Sequence, residues 1–89
     1  MHKEKFLHYL KHEKRYSVHT ILSYTTDLEQ FIKFLFSEFQ INSVKKVNFQ
    51  FVRSWIANLL NNNISARSVN RKITTLKTYF RFLIKEDII

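Results

Sequence analysis

The sequence has no cysteine, glycine or proline among its 89 residues. At average usage, a chain of this length would carry roughly six glycines and four prolines. Their absence disfavours a β-sandwich or barrel, because tight hairpins need Gly or Asn and strands are usually separated by Gly and Pro. The absence of cysteine excludes a disulfide scaffold and a thiolate metal site. No run approaches the roughly 18 apolar residues of a membrane span, and the basic N-terminus lacks the continuous apolar stretch of a signal peptide.

The residues that are present favour a small folded domain with a basic surface. Hydrophobic residues make up 45% of the chain and aromatic residues 16%, nine of them Phe, which is enough to fill a core. Fifteen Lys and Arg face seven Asp and Glu, so the formal charge is +8. The length provides for one domain. We therefore predict a single, cationic, all-α domain over residues 1–89.

Apolar residues at helical spacing predict four helical segments. The first covers about His2–Arg15, and the second follows Ser17, a suitable N-cap. Asn48 is placed to cap the third segment, which is expected to end at Asn61–Asn63, since Asn tolerates the left-handed conformation that ends a helix. Ser65 is placed to cap the fourth. Four helices with short connections predict a compact four-helix bundle.

The fourth segment has the strongest apolar period of the chain. Its predicted core positions, at steps of four and three, are Val69, Ile73, Leu76, Phe80 and Leu83. The opposite face carries Arg67, Arg71, Thr74, Thr78 and Lys85, with Thr75 and Arg81 at its edges. Six basic residues and no acidic residue lie between Ser65 and Lys85. A solvated helix usually mixes both signs of charge, whereas Arg and Thr without acids suit a phosphate backbone.

The second segment also presents a polar face without acidic residues. Opposite its apolar stripe lie His19, Ser23, Thr26, Gln30 and Lys33, while Asp27 and Glu29 flank this row. Short hydroxyl side chains let a helix approach the base edges in the major groove. Both faces therefore favour contact with nucleic acid, and the alternative is that both are simply exposed to water.

Two stretches of the sequence resemble a known family. Residues 17–28, SVHTILSYTTDL, followed by Phe31, are similar to the pattern S-x-x-T-x-x-x-Y-x-x-D-L-x-x-F. Residues 66–83, ARSVNRKITTLKTYFRFL, are similar to R-S-x-x-R-x-[IL]-S-x-[LI]-R-x-F-[YF]-x-[FY]-L, with Thr74 in place of the usual Ser. In this order the two patterns resemble the N-terminal, SAM-like core-binding domain of tyrosine recombinases, such as phage integrases and Xer-type recombinases.

The resemblance implies an all-α, SAM-like bundle that forms half of a clamp around double-stranded DNA. The catalytic Arg, Lys, His and Tyr of such recombinases belong to a second domain, expected beyond residue 89. The fragment is then not an enzyme and needs no cofactor or metal, and the four tyrosines of the chain are interpreted as packing or interface residues. Its other partners would be recombinase protomers in the cytoplasm, with no membrane contact. The chain ends in Ile88 and Ile89 without an evident helix cap, which we interpret as a truncation.

The predicted DNA contacts combine the two polar faces with the resemblance. They are His19, Ser23, Thr26, Arg67, Ser68, Asn70, Arg71, Thr75 and Thr78. Arg67 and Arg71 are expected to supply affinity, and the second helix, helped by Asn70 or Arg71, to supply modest discrimination between sequences. The alternative is a helical protein-interaction module whose basic surface binds an acidic partner. The target site and the kind of recombinase, whether Xer resolvase, phage integrase or transposon recombinase, stay open.

Three further features have structural interpretations. His8 and His12 have the i,i+4 spacing of a zinc protease, but the residue after His8 is Tyr9 where that motif needs Glu, so a solvated face is favoured. Trp55 lies on the apolar stripe of the third segment and is expected in the core. Phe82 falls on the polar side of the fourth segment, where it either packs under the first helix or contacts another domain or protomer.

Overall fold

Four helices joined by short connections form the protein, as the computed structural model of residues 1–89 shows. The elements are α1 (Lys3–His12), α2 (Val18–Phe39), a 3₁₀ turn (Val44–Lys46), α3 (Phe49–Asn61) and α4 (Ala66–Lys85). There is no strand, so the all-α prediction is confirmed. No helix has both the length and the apolar character that crossing a membrane requires.

The three predicted N-caps are confirmed. Ser17 Oγ accepts a hydrogen bond of 3.2 Å from the backbone N–H of Thr20 at the start of α2. Asn48 Oδ1 accepts one of 2.9 Å from the N–H of Gln50 at the start of α3. Ser65 Oγ accepts one of 3.2 Å from Ser68 at the start of α4. Each cap satisfies a donor that the first turn of a helix leaves without a backbone partner.

The helices end on left-handed residues although the chain has no glycine. Asn63, with a φ of 60°, follows α3 as predicted, and Gln40, with a φ of 54°, follows α2. The next residue, Ile64 or Ile41, then donates its N–H back to a carbonyl of the last turn. This is the Schellman arrangement, which usually employs glycine at the left-handed position.

The C-terminal end of α4 has the same arrangement. Asp87 has a φ of 57°, and the N–H of Ile88 donates to the carbonyl of Leu83 at 2.9 Å. The sequence-based expectation that the chain ends without a helix cap is therefore wrong. The signal was missed because an aspartate, and not a glycine or asparagine, takes the left-handed position.

Two hydrophobic clusters, one on each side of the α2–α4 contact, make up the core. The first joins α1 to α2 and α4 and contains Phe6, Leu10, Leu28, Val44, Tyr79, Phe82 and Leu83. The second joins α3 to α2 and α4 and contains Phe31, Leu35, Ile41, Trp55, Leu59, Val69 and Leu76. α2 and α4 contribute to both clusters, so they form the centre of the fold.

The buried face of α4 is rotated from its predicted position. Ile73 and Phe80, predicted in the core, are only half-buried, whereas Lys72, Thr75 and Tyr79 are buried. The physical reason is that α4 packs against α1 and α2 as well as α3, so its contact surface extends to the side that carries Thr75. At about 100° per residue this corresponds to a rotation of roughly 60–70° toward α2.

Aromatic contacts settle the places of Phe82 and Trp55. Phe82 is 3% exposed and packs under α1, with ring centroids 5.5 Å from Phe6 and 5.0 Å from Tyr9. Trp55 is 2% exposed, 5.1 Å from the ring of Phe31, as predicted for a core residue. Of the two alternatives for Phe82, packing under the first helix is therefore the correct one.

Candidate nucleic-acid interface

α2 and α4 run antiparallel, and their polar faces lie side by side. Asp27 of α2 contacts Arg71 and Thr75 of α4, while Gln30, one turn later in α2, contacts Lys72. We call their shared outer surface the α2–α4 face. From α2 it contains His19, Ser23, Thr26, Gln30 and Lys33, and from α4 it contains Arg67, Ser68, Asn70, Arg71, Thr74 and Thr78. Ser23, Ser68 and Thr78 are half-buried and the others are exposed.

A buried carboxylate lies under the centre of this face. Asp27 is 0% exposed, and its Oδ1 and Oδ2 accept hydrogen bonds from Arg71 Nη2 at 2.8 Å and Arg71 Nε at 3.2 Å. Lys72 Nζ donates to Asp27 Oδ1 at 2.9 Å, and Thr75 Oγ1 donates to Asp27 Oδ2 at 2.9 Å. Lys72 Nζ also donates to Gln30 Oε1 at 2.6 Å. We call Asp27, Gln30, Arg71, Lys72 and Thr75 the Asp27 cluster.

The Asp27 cluster keeps its carboxylate ionised. Burial by itself raises the pKa of the Asp27 carboxyl, but hydrogen bonds from Arg71, Lys72 and Thr75 outweigh burial and hold the pKa below its ordinary value. A carboxylate without these donors would be costly to bury. The cluster therefore joins α2 to α4 through a paired charge inside the fold.

We expect the free energy of unfolding of the domain to decrease when the pH is lowered below about 4, which is close to the ordinary pKa of an aspartate in an unfolded chain. Because the folded pKa of Asp27 is lowered, its contribution is present above that range and is lost as pH falls toward the folded pKa. Arg71, Lys72 and Thr75 of α4 donate hydrogen bonds to the carboxyl, and Tyr24 of α2 is the other titratable group that interacts with it. The free energy of unfolding, measured with urea at pH values from about 3 to 7, tests this expectation, because this interval includes the ordinary pKa range of an aspartate. In the Asp27→Asn variant the free energy of unfolding should depend less on pH at the acidic end of this interval. The same dependence as in the parent protein would contradict the stabilising role of the ionised Asp27.

Thr75 is not available to DNA. Its side chain is 0% exposed, and its hydroxyl is bonded to Asp27 and to the carbonyl of Arg71. The prediction that placed Thr75 at the edge of the exposed face is wrong, for the same reason that the buried face of α4 is rotated. Thr78 stays half-exposed, although its hydroxyl donates to the carbonyl of Thr74 at 3.1 Å.

The six basic residues of α4 do not share one surface. Lys85 pairs with Glu13 at 3.4 Å and lies over the ring of Tyr9, so it belongs to the contact with α1 and not to the predicted outer row. Lys72 is buried in the Asp27 cluster. The other four, Arg67, Arg71, Lys77 and Arg81, remain exposed. Of the predicted outer row, Arg67 and Arg71 therefore carry the positive charge of α4 on the α2–α4 face.

Lys77 and Arg81 border a groove between α3 and α4. The groove has a volume of about 590 Å³, and its walls include Val52, Ile56 and Phe80. Phe80, which was predicted in the core, packs against both core clusters and also forms part of this open wall. No acidic residue lines the groove.

The two histidines of α1 lie side by side, and all four tyrosines are buried or half-buried. The rings of His8 and His12 are 4.2 Å apart, and no group of three or more His, Cys, Asp or Glu side chains is placed to hold a metal ion. Burial raises the pKa of the Tyr79 hydroxyl, which donates to the carbonyl of Met1. Burial also raises the pKa of Tyr24, against a hydrogen bond with Thr78. A phenol used as a nucleophile needs the opposite change.

Sequence reasoning missed the Asp27 cluster although a signal was present. Asp27 precedes the buried Phe31 by four residues, and Lys72 precedes the buried Leu76 by four, so both charges occupy core-facing positions. Opposite charges at the core-facing positions of two helices indicate a buried pair when the helices are neighbours. The sequence does not say which helices are neighbours.

Comparison with known proteins now gives the family. Residues 4–87 match the family model of the phage integrase N-terminal SAM-like domain. The chain belongs to this family. The resemblance noted in the sequence is thus confirmed over nearly the whole chain, and so is the prediction of a SAM-like helical bundle.

Several relatives of this integrase-type domain are named tyrosine recombinase XerC. The protein of Oceanobacillus iheyensis is 38% identical over 86 residues, which are 97% of this chain and 28% of the relative. That of Anoxybacillus flavithermus is 36% identical over 84 residues, 94% of this chain and 28% of the relative. That of Halalkalibacterium halodurans is 38% identical over 81 residues, 91% of this chain and 26% of the relative. This chain therefore spans between a quarter and a third of the length of these relatives. No solved structure gives a significant match.

Proposed function

We propose that this domain binds double-stranded DNA through the α2–α4 face, as one half of a clamp that a tyrosine recombinase closes around its site during recombination. The observation that carries the proposal is the composition of this face. It has exposed Arg, Lys, His, Asn and hydroxyl side chains, and its central acid, Asp27, is buried and neutralised by cations. The formal net charge of +8 also attracts a polyanion such as DNA to the domain as a whole. Membership of the integrase family and relatives named tyrosine recombinases agree with it.

The two helices are assigned different tasks on the DNA. Arg67 and Arg71 contact phosphates, because a guanidinium offers paired donors at fixed geometry. His19, Ser23 and Thr26 approach base edges in the major groove from the first half of α2, with help from Asn70 or Arg71. Hydroxyls can donate to or accept from several bases, so the expected discrimination is about 1–2 kcal/mol per preferred base pair. Ser68 and Thr78, which are half-buried residues of the same face, add hydroxyl contacts to the DNA.

The further parts of the proposal concern the protein to which such a domain belongs. Strand cleavage is assigned to a separate catalytic domain, and this domain contributes binding without catalysis, cofactor or metal. Its partners are duplex DNA and other protomers of the recombinase assembled on that DNA. Its place of action is the cytoplasm, where bacterial DNA lies.

Arg67→Ala tests the proposed DNA contact. The parent domain is expected to bind duplex DNA with a Kd on the order of 10⁻⁵ M near physiological salt, the range of binding that is mainly electrostatic. Removing one phosphate contact should weaken binding to all sequences alike and reduce the slope of log K against log salt by about 1. Fluorescence anisotropy of a labelled duplex over a series of salt concentrations measures both quantities.

Arg53→Ala is the matched control for Arg67→Ala. Arg53 is an exposed arginine on α3, outside the α2–α4 face, and its loss changes the net charge equally. We expect Arg53→Ala to bind nearly as the parent does. Equal weakening by the two variants would show that only net charge matters and that this face is not the interface. If the parent fails to bind DNA at low salt, the alternative of a module for an acidic protein partner takes its place.

A further inference from the structure

The guanidinium of Arg71 is held from below by a carboxylate that solvent does not reach. Two of its N–H groups, on Nε and Nη2, bond to the two oxygens of Asp27 at 3.2 and 2.8 Å. An arginine has five such N–H groups, so three remain. The Arg71 side chain is 49% exposed and that of Asp27 is 0% exposed. The three remaining N–H groups therefore lie on the solvent-facing part of the guanidinium, which is planar and held by Asp27.

Asp27 is itself prevented from turning. Lys72 Nζ and Thr75 Oγ1 bond to its two oxygens, and both residues lie on α4, as Arg71 does. The carboxylate is thus held by three side chains of one helix while its backbone belongs to the other. A free arginine on a surface loses much rotamer freedom when it binds a phosphate. In Arg71 that freedom is already restricted in the folded protein.

We propose that Asp27 is a positioning residue for DNA binding, which holds the Arg71 guanidinium in the orientation that receives a backbone phosphate at the centre of the α2–α4 face. The proposal rests on the proposed function of this face. Asp27 does not touch the DNA and acts only through Arg71. It converts a flexible cation into a preformed phosphate donor at a fixed point between α2 and α4.

The proposal and simple electrostatics predict opposite results for Asp27→Asn. This change removes a negative charge from beneath the interface, so attraction to DNA alone predicts tighter binding. If Asp27 positions Arg71, the released arginine must be immobilised on binding, and affinity should fall by about 2- to 10-fold in spite of the added charge. Anisotropy titrations with a labelled duplex at fixed salt decide between the two signs.

Glu29→Gln is the matched control. Glu29 is an exposed acid on the same helix, paired with Lys3 of α1 at 3.2 Å, and its replacement changes the net charge by the same amount. It should leave affinity unchanged or raise it. If Asp27→Asn binds as tightly as Glu29→Gln, the positioning role is overturned.

Arg71→Lys provides a second test that leaves the buried carboxylate bonded to Lys72 and Thr75. It keeps the charge but loses the two-point contact with Asp27, so binding should weaken in the parent background. In the Asp27→Asn background the same substitution should weaken binding less, because it then removes only the paired phosphate contact of the guanidinium and no longer its positioning by Asp27. Independent effects of the two substitutions would contradict the proposal. If Asp27→Asn fails to fold, which its circular dichroism would show, Arg71→Lys binding as the parent does is the overturning result.

The outcomes also separate this inference from the proposed function. Weakening by Arg67→Ala but not by Asp27→Asn or Arg71→Lys would leave the DNA interface in place and remove only the positioning role. Absence of DNA binding by the parent domain would remove both.

Discussion

Replacing Phe31 with alanine is expected to lower the free energy of unfolding by about 3–5 kcal/mol. Phe31 is 0% exposed and lies at the centre of the second core cluster, with ring centroids 5.1 Å from Trp55 and 6.4 Å from Phe80. The loss combines the transfer energy of the ring with the cavity that remains among α2, α3 and α4. Small domains have total stabilities near 5–15 kcal/mol, so this variant should be close to unfolding at room temperature.

Phe36→Ala is the control for Phe31→Ala. It makes the same change in the same helix at a side chain that is 59% exposed, and it should stay within about 0.5 kcal/mol of the parent. Urea unfolding should be followed by circular dichroism and by the fluorescence of Trp55, the single tryptophan, which reports directly on the contact with Phe31. Equal losses from both variants would mean that α2 presents a different face to the core.

The helix boundaries could be predicted because their signals are local. Ser17, Asn48 and Ser65 each bond to the first turn of the helix they precede, and this interaction needs no knowledge of the rest of the fold. The end of α3 at Asn63 is local in the same sense. The left-handed conformations of Gln40 and Asp87 were not predicted, because glycine and asparagine are the residue types that usually take this position at the end of a helix.

The face of α4 could not be predicted because two stripes with the same spacing overlap in its sequence. One contains Val69, Ile73, Leu76, Phe80 and Leu83, and the other contains Val69, Lys72, Leu76, Tyr79 and Leu83. Hydrophobicity favours the first stripe, since the second requires burial of a lysine. The structure adopts the second, because Asp27 of α2 supplies the missing charge. A partner on another helix thus determines the orientation.

The same limit applies to the candidate DNA site. Exposure of His19, Thr26 and Arg67 followed from the pattern of their own helices. The burial of Thr75 and the bonds of Arg71 depend on contacts between α2 and α4, residues 44 to 48 positions apart in sequence. Sequence spacing therefore identified the helices that form the face, but not how the arginine at its centre is held.

The second large effect is expected from Asp27→Ala, which should lower the free energy of unfolding by about 3–5 kcal/mol. The main reason is Lys72, whose side chain is 6% exposed and whose ammonium would lose the only opposite charge with which it is paired. Arg71, with a side chain that is 49% exposed, can turn toward water and should add little to the loss. Urea unfolding at about pH 7 measures this loss of free energy. That pH lies about three units above the ordinary pKa of an aspartate, so the carboxylate is ionised in the parent protein.

A double-mutant cycle identifies the source of that loss. In a Lys72→Met background no buried ammonium remains, so Asp27→Ala should cost much less than it does in the parent protein. Glu29→Ala, at an exposed acid of the same helix, should stay within about 0.5 kcal/mol. If Asp27→Ala costs the same with lysine or methionine at position 72, the loss does not come from an unpaired buried charge. The stabilising role of the cluster would then lie in the hydrogen bonds of Asp27 to Arg71 and Thr75 alone.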